Sequence, residues 1–295
     1  MKIEIKNLVK KFSDVVAIDN LSVSFNEGIT GLVGHNGAGK STLFRCIADI
    51  LDINEGEILI DGTKYNSLEN KNNLFFLPDT PIFPRRSFPK DVFNYYNIFF
   101  KMKKEIFDEM INAFSLPKDR RVDGFSKGML RQLFIAIALS MDVKILLLDE
   151  AFDGIDPLAI EKIKEMIIKR ANENMTIVVS SHNIATLEKL VDQYVILYKG
   201  KLSSEGDEEL LGETFIKYQI IPIGDINENT LVENGLKVIK LNKFGSIYHI
   251  VLVKNNDIEE KLRKLYKPVL LETVPISSNE LIAIEMLYAQ KKEEK

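Results

Sequence analysis

At 295 residues the chain is long for one small domain and fits one large domain or two. With 45% apolar and 28% charged residues it has the balance of an ordinary soluble globular protein, and a formal net charge of −4 gives no sign of nucleic-acid binding. The single cysteine, Cys46, excludes an internal disulfide and suits a reducing cytosol, and no apolar run approaches the length of a membrane span.

Residues 1–6 alternate charged and apolar side chains, a strand pattern rather than a signal peptide. Strands are expected over 2–9, 21–25 and 29–33. Phe12 lies in the connection between the first two, either as a core aromatic or as a ring offered to a base. Residues 34–42 then read Gly-His-Asn-Gly-Ala-Gly-Lys-Ser-Thr and fit the phosphate-loop pattern G-x-x-x-x-G-K-[ST]. The buried strand before it and a helix over 40–51 after it are the context that pattern needs. Glycines let the loop turn tightly and bring backbone N–H groups onto phosphate oxygens, and the helix N-terminus adds partial positive charge. Lys40 should reach the β- and γ-phosphates, and Ser41 should offer its hydroxyl to Mg²⁺. Cys46 on that helix reads as a small buried hydrophobe.

A short strand over 56–60 closes at the turn dipeptide Asp61-Gly62. Another over 73–77 runs into Pro78-Asp79-Thr80-Pro81, where the prolines end regular structure. Asp79 is either a solvated turn residue or an oxygen donor to Mg²⁺ or a water. Arg85, Arg86 and Lys90 form a solvated basic cluster. The segment 92–104 carries Phe93, Tyr95, Tyr96, Phe99 and Phe100, as core or as partner surface, and with 108–114 it forms a small helical insertion.

Phe125-Ser126-Lys127-Gly128-Met129 opens a helix of about fifteen residues, with Ser126 as N-cap and an almost wholly apolar stretch over 133–141. The run 145–150, Ile-Leu-Leu-Leu-Asp-Glu, is a strand buried on both faces that ends in two carboxylates. Ligands of open α/β sheets collect at strand carboxyl ends, so Asp149 and Glu150 read as a metal-linked acid and a base. Asp156-Pro157 starts a helix to about 171. The strand 176–179 leads to Ser180-Ser181-His182, which places His182 at the same end of the sheet. A hairpin over 194–204 follows. Residues 213–295 read as a small α+β domain, with strands over 215–223, 236–241, 247–253 and 269–274. Its helices are expected over 257–266 and 278–292, and Asp257 with Glu260 fits a helix-start capping pattern.

In order and spacing these motifs resemble the nucleotide-binding subunit of ATP-binding cassette (ABC) transporters over about residues 1–212. Residues 34–42 match the family's Walker A motif. Phe125 to Met129 is similar to its signature Leu-Ser-Gly-Gly-Gln, with Phe for Leu, Lys for the first Gly and Met for Gln. The Ser-Lys-Gly-Met form is similar to exporters of the drug, lantibiotic and bacitracin-resistance type. Asp149 and Glu150 match Walker B and the catalytic Glu. Residues 154–157 look like the D-loop, and His182 like the switch histidine. Asp79 stands where the family has the Q-loop Gln, with no amide donor and a shorter reach. Phe12 stands where it usually has Tyr.

The resemblance implies an α/β P-loop cassette: a mostly parallel core sheet, an antiparallel β subdomain and a helical insertion over about 80–140. The small α+β domain over 213–295 is added to it. It implies ATP and Mg²⁺ as cofactors, with Lys40, Asp149, Glu150 and His182 catalytic. Gly34, His35, Asn36, Gly37, Ala38, Gly39, Lys40, Ser41, Thr42, Phe12, Asp79, Ser126, Lys127, Gly128 and Asp156 would line the nucleotide, and Ser41, Asp149 and Asp79 the metal. Two cassettes, identical or paralogous, would sandwich two ATP molecules head to tail, with Ser126 and Gly128 acting on the partner's nucleotide. The motion would drive a separate integral membrane permease from the cytoplasmic face of the cell membrane, with no nucleic-acid partner. The alternatives are a soluble ABC ATPase and a nucleotide-gated regulatory module, both without a permease.

Overall fold

The computed structural model describes residues 1–172, 174–183, 186–207 and 213–293. They divide into two compact units, residues 1–202 and 203–295. The boundary expected at 212/213 adjoins 208–212, which lie outside the described residues.

In the first unit β1 (Ile3–Phe12) and β2 (Val15–Phe25) pair antiparallel across a tight turn in which Ser13 takes φ 48°. Phe12 therefore ends β1, opposite Val15, instead of lying in a connection. With β4 (Glu55–Ile60) and β5 (Thr63–Lys64) they form a four-stranded sheet, order β2-β1-β4-β5, whose pairings are antiparallel.

The second sheet holds β3 (Gly28–Val33), β6 (Leu74–Leu77), β7 (Ile145–Leu148), β8 (Thr176–Ser181), β9 (Gln193–Tyr198) and β10 (Lys201–Gly206). Its order is β10-β9-β3-β8-β7-β6, and the β9–β3, β3–β8, β8–β7 and β7–β6 pairs are parallel. Continuous apolar runs suit such strands because parallel sheets are covered on both faces. All of β7 is buried. Ile3, Ile5, Leu32, Leu43, Phe44 and Leu147 share one core, which joins the two sheets through α1 (Lys40–Ile47).

Helix α1 stops four residues before the expected Leu51. Asp49 takes the left-handed conformation at φ 55°, and the N–H groups of Ile50 and Leu51 both turn back onto Arg45 O. That closure satisfies a helix-end carbonyl and ends the helix. A short α2 (Leu68–Asn72) precedes β6. The helical insertion contains α3 (Pro89–Asn97), α4 (Lys104–Ala113) and α5 (Lys127–Ser140), and α6 (Pro157–Ala171) follows β7. The aromatic segment divides. Phe93 packs on Phe107 with ring centroids 4.7 Å apart, and Phe100 on Phe75 at 5.2 Å, whereas Tyr95, Ile98 and Phe99 face outward.

The second unit is α+β. Its antiparallel sheet has the order β12 (Val238–Phe244), β13 (Ile247–Val253), β11 (Phe215–Ile221), β14 (Leu270–Thr273). Tyr218, Ile250 and Leu252 pack with Leu231 of α7 (Glu228–Glu233) and Leu262 of α8 (Ile258–Tyr266). Sequence periodicity misses α7, which is a turn and a half. Asp257 precedes α8 but makes no capping bond; its backbone, at φ −115° and ψ 9°, departs from the extended geometry a cap uses. The last helix, α9 (Ser278–Glu293), buries Glu285, whose carboxyl is pushed up by burial.

Candidate functional site

Parallel register aligns the strand ends. Val33 lies opposite Ser181, Val179 opposite Leu148, and Leu148 opposite Leu77. The chain therefore leaves β3 into the glycine loop, β8 into His182, β7 into Asp149 and Glu150, and β6 into Pro78 and Asp79, all along one edge of the sheet. This edge is where open α/β sheets bind ligands.

In the loop 34–42, Gly39 sits at φ +105°, and a Cβ there would come 2.7 Å from Ala17 O, so only glycine fits. Gly39 is also the N-cap of α1 and supplies no side-chain cap, which leaves first-turn N–H groups available. Gly34 and Ala38 are buried, His35, Asn36 and Gly37 form the exposed tip, and Ser41 and Thr42 are half-buried. Lys40 is 5% exposed. Its Nζ donates to Gly34 O at 2.7 Å and lies 3.3 Å from Glu150 Oε1. A buried cation, an uncapped helix start and an exposed main-chain tip fit an anionic phosphate.

Asp149 is fully buried and Glu150 partly so. Ser180 connects them: its Oγ donates to Asp149 Oδ1 at 2.6 Å and accepts from Glu150 N at 2.8 Å. Glu150 takes φ 46°, an uncommon conformation for a residue with a side chain. Its Oε2 lies 2.9 Å from Nδ1 of the half-exposed His182. A carboxylate only accepts, so Nδ1 carries the proton of that bond. Lys40, Asp149, Glu150 and His182 are thus brought together, with Ser180 as a member that sequence reasoning passed over.

A second cluster forms at the start of α5. Ser126 Oγ caps the helix by accepting from Met129 N at 3.2 Å. Lys127 Nζ donates to Asp153 Oδ2 at 2.6 Å. This bond holds the Asp153 carboxyl below its ordinary range. The Lys127 stem crosses Gly154, while a Cβ on Gly128 would meet Gly154 O at 2.7 Å. Asp156 Oδ1 accepts from Ala159 N at 3.0 Å and caps α6. Asp79 is exposed, and with Pro81, Lys127, Leu130, Arg131 and Asp153 it lines a recess of about 40 Å³. Phe12 is 42% exposed, with Lys10 Nζ 4.9 Å from its ring centroid, so it is not a core aromatic. Arg131 and Asp153 were not singled out from sequence. The available signal was Arg131 as the one charge in the apolar stretch 130–140.

A glycine loop with a buried lysine, facing two acids and a histidine across parallel strand ends, defines a P-loop nucleotide-binding cassette. The sequence model of the ABC transporter family matches residues 18–153. The chain is 30% identical over 233 residues to the bacitracin transport ATP-binding protein BcrA of Bacillus licheniformis, covering 77% of this chain and 76% of that one. It is 25% identical over 283 residues to the ABC transporter ATP-binding protein YtrB of Bacillus subtilis (strain 168), covering 95% and 96%. A solved structure described as the ATP binding subunit of an ABC transporter superposes with a TM-score of 0.65 at 23% identity, over 72% of this chain and 92% of that one, and shows the same fold. The chain belongs to the ATP-binding proteins of ABC transporters, which hydrolyse ATP to drive transport. Among the described residues no helix is long and apolar enough to cross a membrane.

Proposed function

We propose that this chain works as one of two cassettes that close on ATP and power a separate membrane permease, as an exporter, from the cytoplasmic face. The observation that carries the reading is the convergence of Lys40 and His182 on the two oxygens of Glu150. Bound ATP supplies a transferable γ-phosphoryl group, and Mg²⁺ neutralises charge on its oxygens. Lys40 and the main chain of 34–42 bind the phosphates. Ser41 and Asp149 would hold the metal, with Asp79 as a further oxygen donor. Glu150 accepts a proton from the attacking water at its carboxylate, and His182 orients that carboxylate through Nδ1. Phosphoryl transfer asks for positioning and charge neutralisation, which this edge of the sheet is built to give.

Ser126 and Gly128 sit at an exposed helix start joined to the Asp153–Gly154 turn, suited to meet nucleotide held by the partner cassette. Ile82, Tyr95, Ile98 and Phe99 present apolar surface from the helical insertion, suited to a permease. Export is supported by the likeness to a bacitracin transport protein and by the Ser-Lys-Gly-Met signature. The test is affinity capture of the chain from detergent-solubilised membranes of its own cell. The reading expects one integral membrane protein in stoichiometric yield, lost on Phe99→Glu. A chain recovered alone in the wild-type form, with full ATPase activity, contradicts it.

A further inference from the structure

Arg131 is the one charged residue in the apolar stretch 130–140 of α5, and it is 5% exposed. Its guanidinium bonds four main-chain carbonyls. Nε donates to Ala151 O at 3.3 Å, Nη1 to Pro78 O at 2.9 Å and to Asp79 O at 3.2 Å, and Nη2 to Asp149 O. Two of these carbonyls belong to the chain leaving β6 and two to the chain leaving β7. A leucine could fill this place without the cost of desolvating a charge. What it could not do is tie two loops together with a planar fork of donors.

The second pair of carbonyls flanks Glu150. That residue holds φ 46°, a conformation that persists only where the surroundings over-determine it. Ser180 Oγ takes the Glu150 N–H, and Arg131 takes the carbonyls of the residues before and after. Asp149 O and Glu150 N–H lie on one peptide, which Arg131 and Ser180 hold from its two edges. Glu150 O accepts from Asp153 N at 3.1 Å on the next peptide, and Arg131 holds the one after through Ala151 O. The main chain thereby sets the direction in which the Glu150 carboxylate meets Lys40 and His182. The first pair belongs to the loop 78–81, which opens the helical insertion and carries Asp79.

We propose that Arg131 is a positioning residue for ATP hydrolysis, which holds the main chain around Glu150 in its reactive aim and makes that aim depend on the loop 78–81. The proposal rests on the reading of Glu150 as the base. It assigns Arg131 no contact with nucleotide, so its removal should act on turnover and leave binding alone. A misplacement of about 1 Å at such a group can cost roughly 100-fold in rate.

The test is a double-mutant cycle between Arg131 and Glu150, read by kcat and KM, by single-turnover hydrolysis of radiolabelled ATP, and by affinity for a fluorescent ATP analogue. Arg131→Met is expected to lower kcat by about 100-fold with the analogue Kd within about twofold. Arg131→Lys, which keeps a cation with fewer fixed donors, should recover part of that loss. On a Glu150→Gln background, where no base remains to be aimed, Arg131→Met should cause no further loss. Equal fold-losses in both backgrounds would overturn the proposal, as would an affinity that falls in step with kcat. If Arg131→Met does not fold, the same cycle is run with Arg131→Lys, where a kcat equal to wild type overturns the proposal. Glu150→Gln with near wild-type turnover would instead remove the base reading itself, an outcome distinct from additivity in the cycle.

Discussion

Nδ1 of His182 lies 2.9 Å from Oε2 of Glu150, although 32 residues separate them in the chain. The contact exists because β8 and β7 are neighbouring parallel strands, so that residues just past their ends meet. It leaves Glu150 oriented on one side by an imidazole and on the other by Lys40 Nζ, 3.3 Å from Oε1.

Replacing Glu150 with Gln keeps the size of the side chain and removes its capacity to take a proton. ATP binding is expected to persist while turnover falls by roughly 10²–10⁴. Steady-state phosphate release checks this, and near wild-type hydrolysis would take Glu150 out of the chemistry.

Lys40→Ala removes the buried cation that bonds Gly34 O and faces Glu150. A hydrogen bond to a charged group contributes about 1.5–3 kcal/mol. Nucleotide affinity should therefore weaken by about 10- to 100-fold. Equilibrium titration with a fluorescent nucleotide reads the change, and an unaltered Kd contradicts the phosphate-cradle role.

Gly128 approaches Gly154 so closely that a Cβ would sit 2.7 Å from the Gly154 carbonyl oxygen. Gly128→Ala must push the start of α5 away from that turn, at a cost of about 1–3 kcal/mol. The melting temperature should fall, while nucleotide affinity at residues 34–42 stays as in the parent. Calorimetry and nucleotide titration together test this; an unchanged melting temperature contradicts the close packing.

Burial pushes the Cys46 thiol from an ordinary value of 9.0 up to about 11. Its raised value means that folding favours the neutral thiol. The associated stability is fully present below the unfolded value and is lost as pH rises through the folded one. At pH 8 the folded chain should resist a thiol reagent, with about a hundredfold less thiolate than a free cysteine. Denaturant should restore the reaction. Rapid labelling of the native chain would contradict the burial.

Much of the fold could be read because its signals are local. The run 145–148 needed only its own apolar composition to declare a buried strand, and the glycine loop declared itself by spacing. Ser126 and Asp156 were legible as helix caps for the same reason. The misses depend on distant partners or on short pieces. Ser180 acquires its part only when β8 lies beside β7. Arg131 looks like a blemish in an apolar helix until Pro78 and Asp149 are brought next to it. Asp257 had the right residue type for a cap and the wrong backbone, and α1 ended early because Asp49 turned left-handed.

Completion of the site by a second cassette is tested by the mass of Glu150→Gln in solution, read by size-exclusion chromatography with light scattering, with and without Mg-ATP. The expected result is a monomer without nucleotide and a dimer with it, reversed when Ser126→Arg is added. A variant that binds ATP and keeps the mass of a monomer would contradict self-association as the step that ATP drives.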